Sequence, residues 1–279
     1  MNRLVAYIGN EPDRMACALY PGRHALRVFS AGSAADWGLG FIQAGDVLLQ
    51  KRLRSATAQV DFFDLASDLR ADAMVGRASQ GEEARAHSAN ADPFRFRYWL
   101  FGAVGEFGDF SQVRGRMLDS IPEFLRRNLR GQSPSEHIFH IFLAFLHDAG
   151  LLESLSAEPE PAHRALDESL AFVDRLLAAS GAASTRLAVV ATNGRCLLAL
   201  SHGHPVHYLE IRGIESCPVC RDKRSDNSHD RPIGHDHLRA VILQADHQAD
   251  KRSGWRPVPE GGALLVGPKI TVRTLPSAR

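Results

Sequence analysis

The sequence predicts an α+β fold, because strand-like segments open the chain, helical ones fill its middle and strand-like ones return at the end. Short apolar runs broken by Gly, Asn and Pro occupy residues 4–104. Apolar residues at helical spacing occupy 111–179, and short apolar runs come back between 186 and 266. The sequence lacks the strict strand–helix alternation of a doubly wound parallel sheet, and it carries no internal repeat.

In chain order, Leu4-Val5-Ala6-Tyr7-Ile8 is a short apolar strand ended by Gly9-Asn10. Residues 37–42 and 47–52 flank Ala44-Gly45-Asp46, whose turn chemistry predicts a hairpin. A further strand spans 98–104, between Asp92-Pro93 and Gly105. Residues 111–128 carry Val113, Met117, Ile121, Phe124 and Leu125 at helical spacing, with Pro122 as the break between two helices. Ser133-Pro134-Ser135-Glu136 has the chemistry of a helix start and leads into the apolar run 138–146. After an acidic, proline-bearing loop over 154–162, residues 165–179 present Leu166, Leu170, Val173 and Leu177 on one helical face. Strands follow at 186–191, 196–200, 206–211, 238–244 and 263–266, and residues 213–236 form a loop rich in charge, Ser, Asp, Asn and His.

Composition narrows the classes of function. With 33 basic and 32 acidic residues in 279, the net charge of +1 offers no electrostatic footprint for nucleic acid or a membrane surface. No apolar run approaches the roughly 18 residues of a spanning helix. Arg3, Glu11, Asp13 and Arg14 interrupt any signal-peptide core, so a cytoplasmic protein is expected. Four cysteines in this length make no disulfide framework, and a reducing compartment keeps them as thiols.

The opening, Met1-Asn2-Arg3-Leu4-Val5-Ala6-Tyr7-Ile8-Gly9, resembles the start of small, stand-alone class II glutamine amidotransferases, which begin Met-Cys-Arg-x-Leu-Ala-Tyr-x-Gly. The resemblance runs along nearly the whole chain. Asp36-Trp37-Gly38-Leu39-Gly40 is similar to the family's Asp-Gly-Trp-Gly-x-Gly strand, and Asn90-Ala91-Asp92-Pro93-Phe94 to its Asn-x-His-Pro-Phe. Ala78-Ser79-Gln80-Gly81 follows where the family has His-Val-Arg-x-Ala, and Trp99-Leu100-Phe101 resembles the strand that carries its His-Asn-Gly. Ser133-Pro134-Ser135-Glu136 sits at Ser/Thr-Asp-Ser/Thr-Glu, Asn193-Gly194 at a late Asn-Gly turn, and Trp255 to Gly261 at Trp-x-x-Val-Pro-x-Gly. The resemblance implies one domain over residues 1–279, folded as the four-layer αββα sandwich of N-terminal-nucleophile hydrolases.

The departures fall where the family's reaction needs chemistry. Asn2 replaces the nucleophilic cysteine, and an amide is no nucleophile that a base can activate. Asparagine is also a bulky second residue, so Met1 is expected to stay. The arginine that grips the substrate carboxylate falls at Gly76, with Arg77 one place late and therefore expected on the opposite face of the strand. His-Asn-Gly reads Ala103-Val104-Gly105, and losing one oxyanion donor typically costs about 100- to 1,000-fold in rate. Asp92 replaces a histidine, and Pro134 replaces the aspartate that would hold the glutamine amine.

A second chemical signal is Cys217-Pro218-Val219-Cys220, followed by His229, His235 and His237. Within a loop at 213–237, Cys217, Cys220, His235 and His237 fit a tetrahedral structural zinc site. A plain solvated loop with two free thiols fits the same residues. A redox pair also fits, although Arg221-Asp222-Lys223-Arg224 does not read as the helix that such a pair opens. Cys17 and Cys196 lie in apolar surroundings and read as buried and inert, and the histidines near 137–147 and 202–207 read as core-edge and turn residues.

The expected function is therefore a class II amidotransferase-like protein without glutaminase activity, binding or scaffolding a protein partner or small ligand. The competing expectation is an enzyme of altered chemistry that uses Asp92, Glu106 or Asp36 with a metal-bound water. A zinc-stabilised partner-binding module built on 213–237 is the third.

Overall fold

The computed structural model describes residues 3–29, 35–55, 59–80, 88–155, 158–222, 233–245 and 254–277. Two antiparallel sheets dominate it. The first has seven strands in the spatial order β13 (Trp255–Pro257), β11 (Val206–Ile214), β12 (His235–Ala245), β1 (Arg3–Gly9), β6 (Ala73–Gln80), β3 (Ala35–Gln43) and β4 (Asp46–Ser55). The second has six, in the order β15 (Thr271–Leu275), β14 (Ala263–Gly267), β10 (Leu197–His202), β9 (Arg186–Thr192), β8 (Trp99–Glu106) and β7 (Phe94–Phe96). A short ribbon pairs β2 (Arg27–Phe29) with β5 (Gln59–Asp61).

Successive residues of a strand face opposite sides, and β1 shows what that does here. Leu4, Ala6 and Ile8 enter an apolar cluster with Leu100, Val104, Val190, Ala199 and Leu264 of the second sheet. Val5 and Tyr7 enter another with Met15 and Leu19 of α1 (Met15–Leu19) and Phe62 of α2 (Phe62–Ala66). On the far side of the second sheet, Phe101, Ala103, Val189 and Leu198 pack on Met117 of α3 (Phe110–Ser120), Leu125 of α4 (Glu123–Arg126), Phe139 and Phe142 of α5 (Pro134–Asp148) and Leu166 and Val173 of α6 (Pro159–Ala178). Both faces of β1 are buried, which is why it reads as one continuous apolar run with no alternation.

Two parts of the amidotransferase-like opening have visible structural work. Arg3 donates from Nη1 to the carbonyls of Ala25 (3.1 Å) and Arg27 (2.6 Å), tying β1 to the ribbon. A Cβ on Gly9 would stand 2.1 Å from the hydroxyl of fully buried Tyr7, so the Tyr-x-Gly spacing is a packing requirement.

The predicted hairpin is present, with Ala44 (φ 51°) and Gly45 (φ 87°) both left-handed in the turn between β3 and β4, as a type I′ connection requires. The break at Pro122 separates α3 from α4, and Ser133 caps α5 by accepting from Glu136 N at 3.2 Å. Helix α6 begins at Pro159, inside the segment expected to be loop, because Pro159 is preset for a first turn and is buried with Ala162. The loop expected over 213–236 also holds a five-residue helix, α7 (Pro218–Asp222), directly after β11.

One clip joins α6 to the second sheet. Asp174 accepts from His202 Nε2 (2.8 Å) and from Thr185 N and Oγ1 (3.1 and 3.0 Å). Burial raises its carboxyl, but the hydrogen bonds outweigh burial and hold it at about 2. The value lies below that of an unfolded aspartate, so the stabilisation is complete above about pH 4 and is lost as pH falls towards the folded value. Asp174→Ala is expected to cost about 2 kcal/mol at pH 7, with the gap to wild type closing in urea melts between about pH 4 and pH 2.

Candidate functional site

Asn2 lies outside the described residues, one position before β1. The adjacent strand β6 runs antiparallel to it, with Leu4 opposite Arg77, Val5 opposite Gly76 and Ala6 opposite Val75. Gly76 faces the outer helices: a Cβ there would meet Phe62 Cε1 at 2.8 Å and Val5 Cγ2 at 3.0 Å. Arg77 does face the other way, as the strand period requires. That other side borders a cavity. A cavity of about 60 Å³ is lined by Arg77, Ala103, Val104, Gly105, Pro134 and Ser135, among others. The structure thus gathers Val104, Gly105 and Pro134 around Arg77, and Gly76 points away from them.

The Arg77 guanidinium is held. Its Nη1 donates to Asp92 Oδ2 at 2.6 Å, and both side chains are buried (7% and 0% exposed). Asp92 Oδ1 accepts from Ala103 N at 3.1 Å, so the carboxylate joins β6, β8 and the turn before β7. A smaller cavity of about 10 Å³ touches Asp36, Trp37, Gly38, Ser79 and the same pair. Gly38 is required there, since a Cβ would lie 2.1 Å from the Asp92 carbonyl oxygen. Asp36 and Asp92 line this one cavity, while Glu106 is exposed at the end of β8.

The rest of the site is built for packing. Val104 joins the core between the sheets and has no side-chain donor. Gly105 has φ 130° and passes so close to β9 that a Cβ would meet Arg186 O at 2.1 Å. Pro134 occupies the first turn of α5. Glu136 is buried and accepts from Arg130 N (2.9 Å) and Gly131 N (2.7 Å); burial raises its carboxyl, partly offset by those two donors. Beside this cluster lies a groove of about 470 Å³, whose lining includes Lys51, Arg95, Arg130, Glu136 and His140. His140 is 4% exposed, its Nδ1 lies 2.9 Å from Glu136 O, and burial pushes it down to about 4, so the ring is neutral.

At the far end of β1, the structure brings Cys217 and Cys220 to His235 and adds Cys17. Their ligand atoms all lie within 4.8 Å of one another, a group that could hold a metal ion. Cys217 stands at the start of α7, its N donating to Ile233 O at 2.8 Å; Cys220 is within α7 and His235 opens β12. Burial, then hydrogen bonding with Cys217 and Cys220, pushes the Cys17 thiol well above the ordinary range. Burial and the nearby Arg14 lower His235, leaving it neutral at pH 7. His237 has an exposed side chain and is not in the group, and His229 lies outside the described residues. Two sequence expectations change with this: Cys17 is no isolated core thiol, and a short helix, Pro218–Asp222, begins inside the Cys-x-x-Cys pair and contains Cys220.

Cys196 is buried as expected, its thiol pushed up to about 12 by burial. Among the described residues, no helix is long and apolar enough to cross a membrane.

No protein-family model matches the chain, and no curated protein sequence does. Solved structures do. A glutamine aminotransferase class-II domain protein from Silicibacter pomeroyi superposes with a TM-score of 0.60 at 16% identity, covering 99% of this chain and 100% of that one. A predicted glutamine amidotransferase from Pseudomonas aeruginosa PA01 superposes with a TM-score of 0.55 at 14% identity, covering 97% and 94%. At these identities the likeness establishes the architecture: a mixed α/β, glutamine amidotransferase-like fold built on two antiparallel sheets.

Proposed function

We propose that the chain is a class II glutamine amidotransferase-like protein that does not hydrolyse glutamine and acts as a binding or scaffolding protein. In this reading its two sheets and outer helices are the αββα sandwich of N-terminal-nucleophile hydrolases, formed by residues 1–279 as one domain. The observation that carries the reading is the Arg77–Asp92 ion pair. A buried arginine in the cleft would be the natural grip for a glutamine carboxylate, and here Asp92 already occupies it. Around it, Val104 offers no oxyanion donor and Pro134 no side-chain acceptor for an amine. The cavity of about 60 Å³ is also small beside the roughly 300–1,000 Å³ of small-molecule sites.

The groove of about 470 Å³ has that size. Lys51, Arg95 and Arg130 outnumber Glu136, whose carboxylate is engaged by two backbone N–H groups, so an anionic small ligand suits it better than a cationic one. A protein partner is the other occupant, in preference to nucleic acid or a membrane surface, which a net charge of +1 does not favour. A structural Zn²⁺ at the cysteine–histidine group belongs to the same reading, serving stability. Three clustered thiols stay reduced only where reductant is supplied, which favours a cytoplasmic location.

The test is covalent labelling. Incubation with an electrophilic glutamine analogue is expected to leave the intact mass unchanged and Met1 in place. A single adduct at the N-terminal residue would overturn the reading.

A further inference from the structure

We infer that Cys17, Cys217, Cys220 and the Nε2 atom of His235 form one closed Zn²⁺ site that clamps α1 to α7 and the start of β12. The inference rests on the reading that the cysteine–histidine segment holds a metal, and it adds the ligand set, the coordination and what the ion joins. A tetrahedral zinc with arms of about 2.0–2.3 Å requires donor–donor edges of about 3.3–3.8 Å. Cys17 Sγ lies 3.5 Å from Cys220 Sγ, and Cys220 Sγ lies 3.4 Å from His235 Nε2. The widest separation in the group stays within 4.8 Å, so small side-chain rotations close the tetrahedron.

The surroundings hold these donors in place without the ion. Asn10, just after β1, donates from Nδ2 to His237 O (2.9 Å) and accepts from Arg239 N (2.7 Å), fixing β12 beside the turn that leads to α1. The Cys217 N–H to Ile233 O bond holds the start of α7 two residues from His235. Cys17, Cys217 and His235 are buried. Three thiolates and one imidazole suit zinc and disfavour the oxygen-seeking Mg²⁺ and Ca²⁺. Such a site carries net charge −1, and Arg14 Nη1, 3.6 Å from Cys220 Sγ, offsets it from the outer shell.

Four protein donors leave no position for substrate, so the ion staples segments about 200 residues apart in sequence and performs no chemistry. Among the described residues, neither of the two cavities that Arg77 lines includes a residue of the clamp.

Zinc K-edge absorption on the full chain, purified without chelator, reads the ligand set directly. The expected result is one zinc per chain with three sulfur neighbours at about 2.3 Å and one nitrogen at about 2.0 Å. His237→Ala should keep the zinc, while Cys17→Ser should weaken affinity at least about 100-fold in competition with a chromophoric chelator, since even outer-shell losses reach that size. Two sulfurs and two nitrogens, or loss of zinc from His237→Ala with retention by Cys17→Ser, would overturn this ligand set while leaving a metal-binding loop intact. Protein that takes up no stoichiometric zinc from a zinc-supplemented buffer would overturn both. The absorption measurement uses wild type alone, so misfolding of the Cys17 variant does not blunt it.

Discussion

Asp92→Ala is expected to destabilise the protein by about 3–5 kcal/mol, read as a lower urea midpoint with an unchanged slope. Removing the carboxylate deletes the 2.6 Å ion pair of a guanidinium that is 7% exposed and leaves Ala103 N without its Asp92 acceptor. The cost is that of a buried charge whose carboxylate partner is gone, and it exceeds what the pair contributes net. Replacing both partners, as in Arg77→Met with Asp92→Leu, should therefore recover much of the loss. A double variant as unstable as Asp92→Ala would mean that the pair does more than neutralise itself.

Gly105→Ala is expected to cost about 2–4 kcal/mol, from a backbone conformation that alanine resists combined with overpacking against β9. The Cβ would meet a carbonyl oxygen, Arg186 O at 2.1 Å, and backbone in a paired strand cannot swing aside as a side chain can. The same substitution at Gly150, which has a positive φ but open space around its Cβ position, should cost markedly less. Equal losses at the two positions, compared by thermal melts, would contradict the close-approach explanation. Gly105 thus shows why the glycine of a His-Asn-Gly-like segment can persist beside Val104: it serves the sheet, whatever the chemistry.

Much of the scaffold is legible in the sequence, because local rules agree with the tertiary structure there. The apolar run at 4–8, the Ala44-Gly45 turn and the Ser133-to-Glu136 cap each carry their own signal, and each is found as predicted. The site is less legible, for three identifiable reasons. Strand periodicity tells that positions 76 and 77 face opposite sides but not which side holds the cleft. Cys17 sits among Met15, Ala16, Ala18 and Leu19, all buried, so its sequence context is that of a core residue. Only the folded chain brings it across some 200 residues to Cys220, and no spacing rule spans that gap.

His237 stands outside the group for a third reason. Two positions apart in a regular strand, His235 and His237 should share a face. The ladder between β11 and β12 slips at Gly213, where Arg212 pairs with Arg239 and Ile214 with His235. Two steps on one strand match four on the other, the alternation breaks, and His237 turns outwards.

Ammonia release from amide-labelled glutamine, by the 279-residue chain loaded with zinc, tests most directly the claim that this protein carries no glutaminase chemistry. The expected result is a rate indistinguishable from that of heat-denatured protein at every substrate concentration. Release above that background, saturable in glutamine and abolished by substituting Arg77, would show that Arg77 grips substrate despite Asp92, and the claim would be wrong.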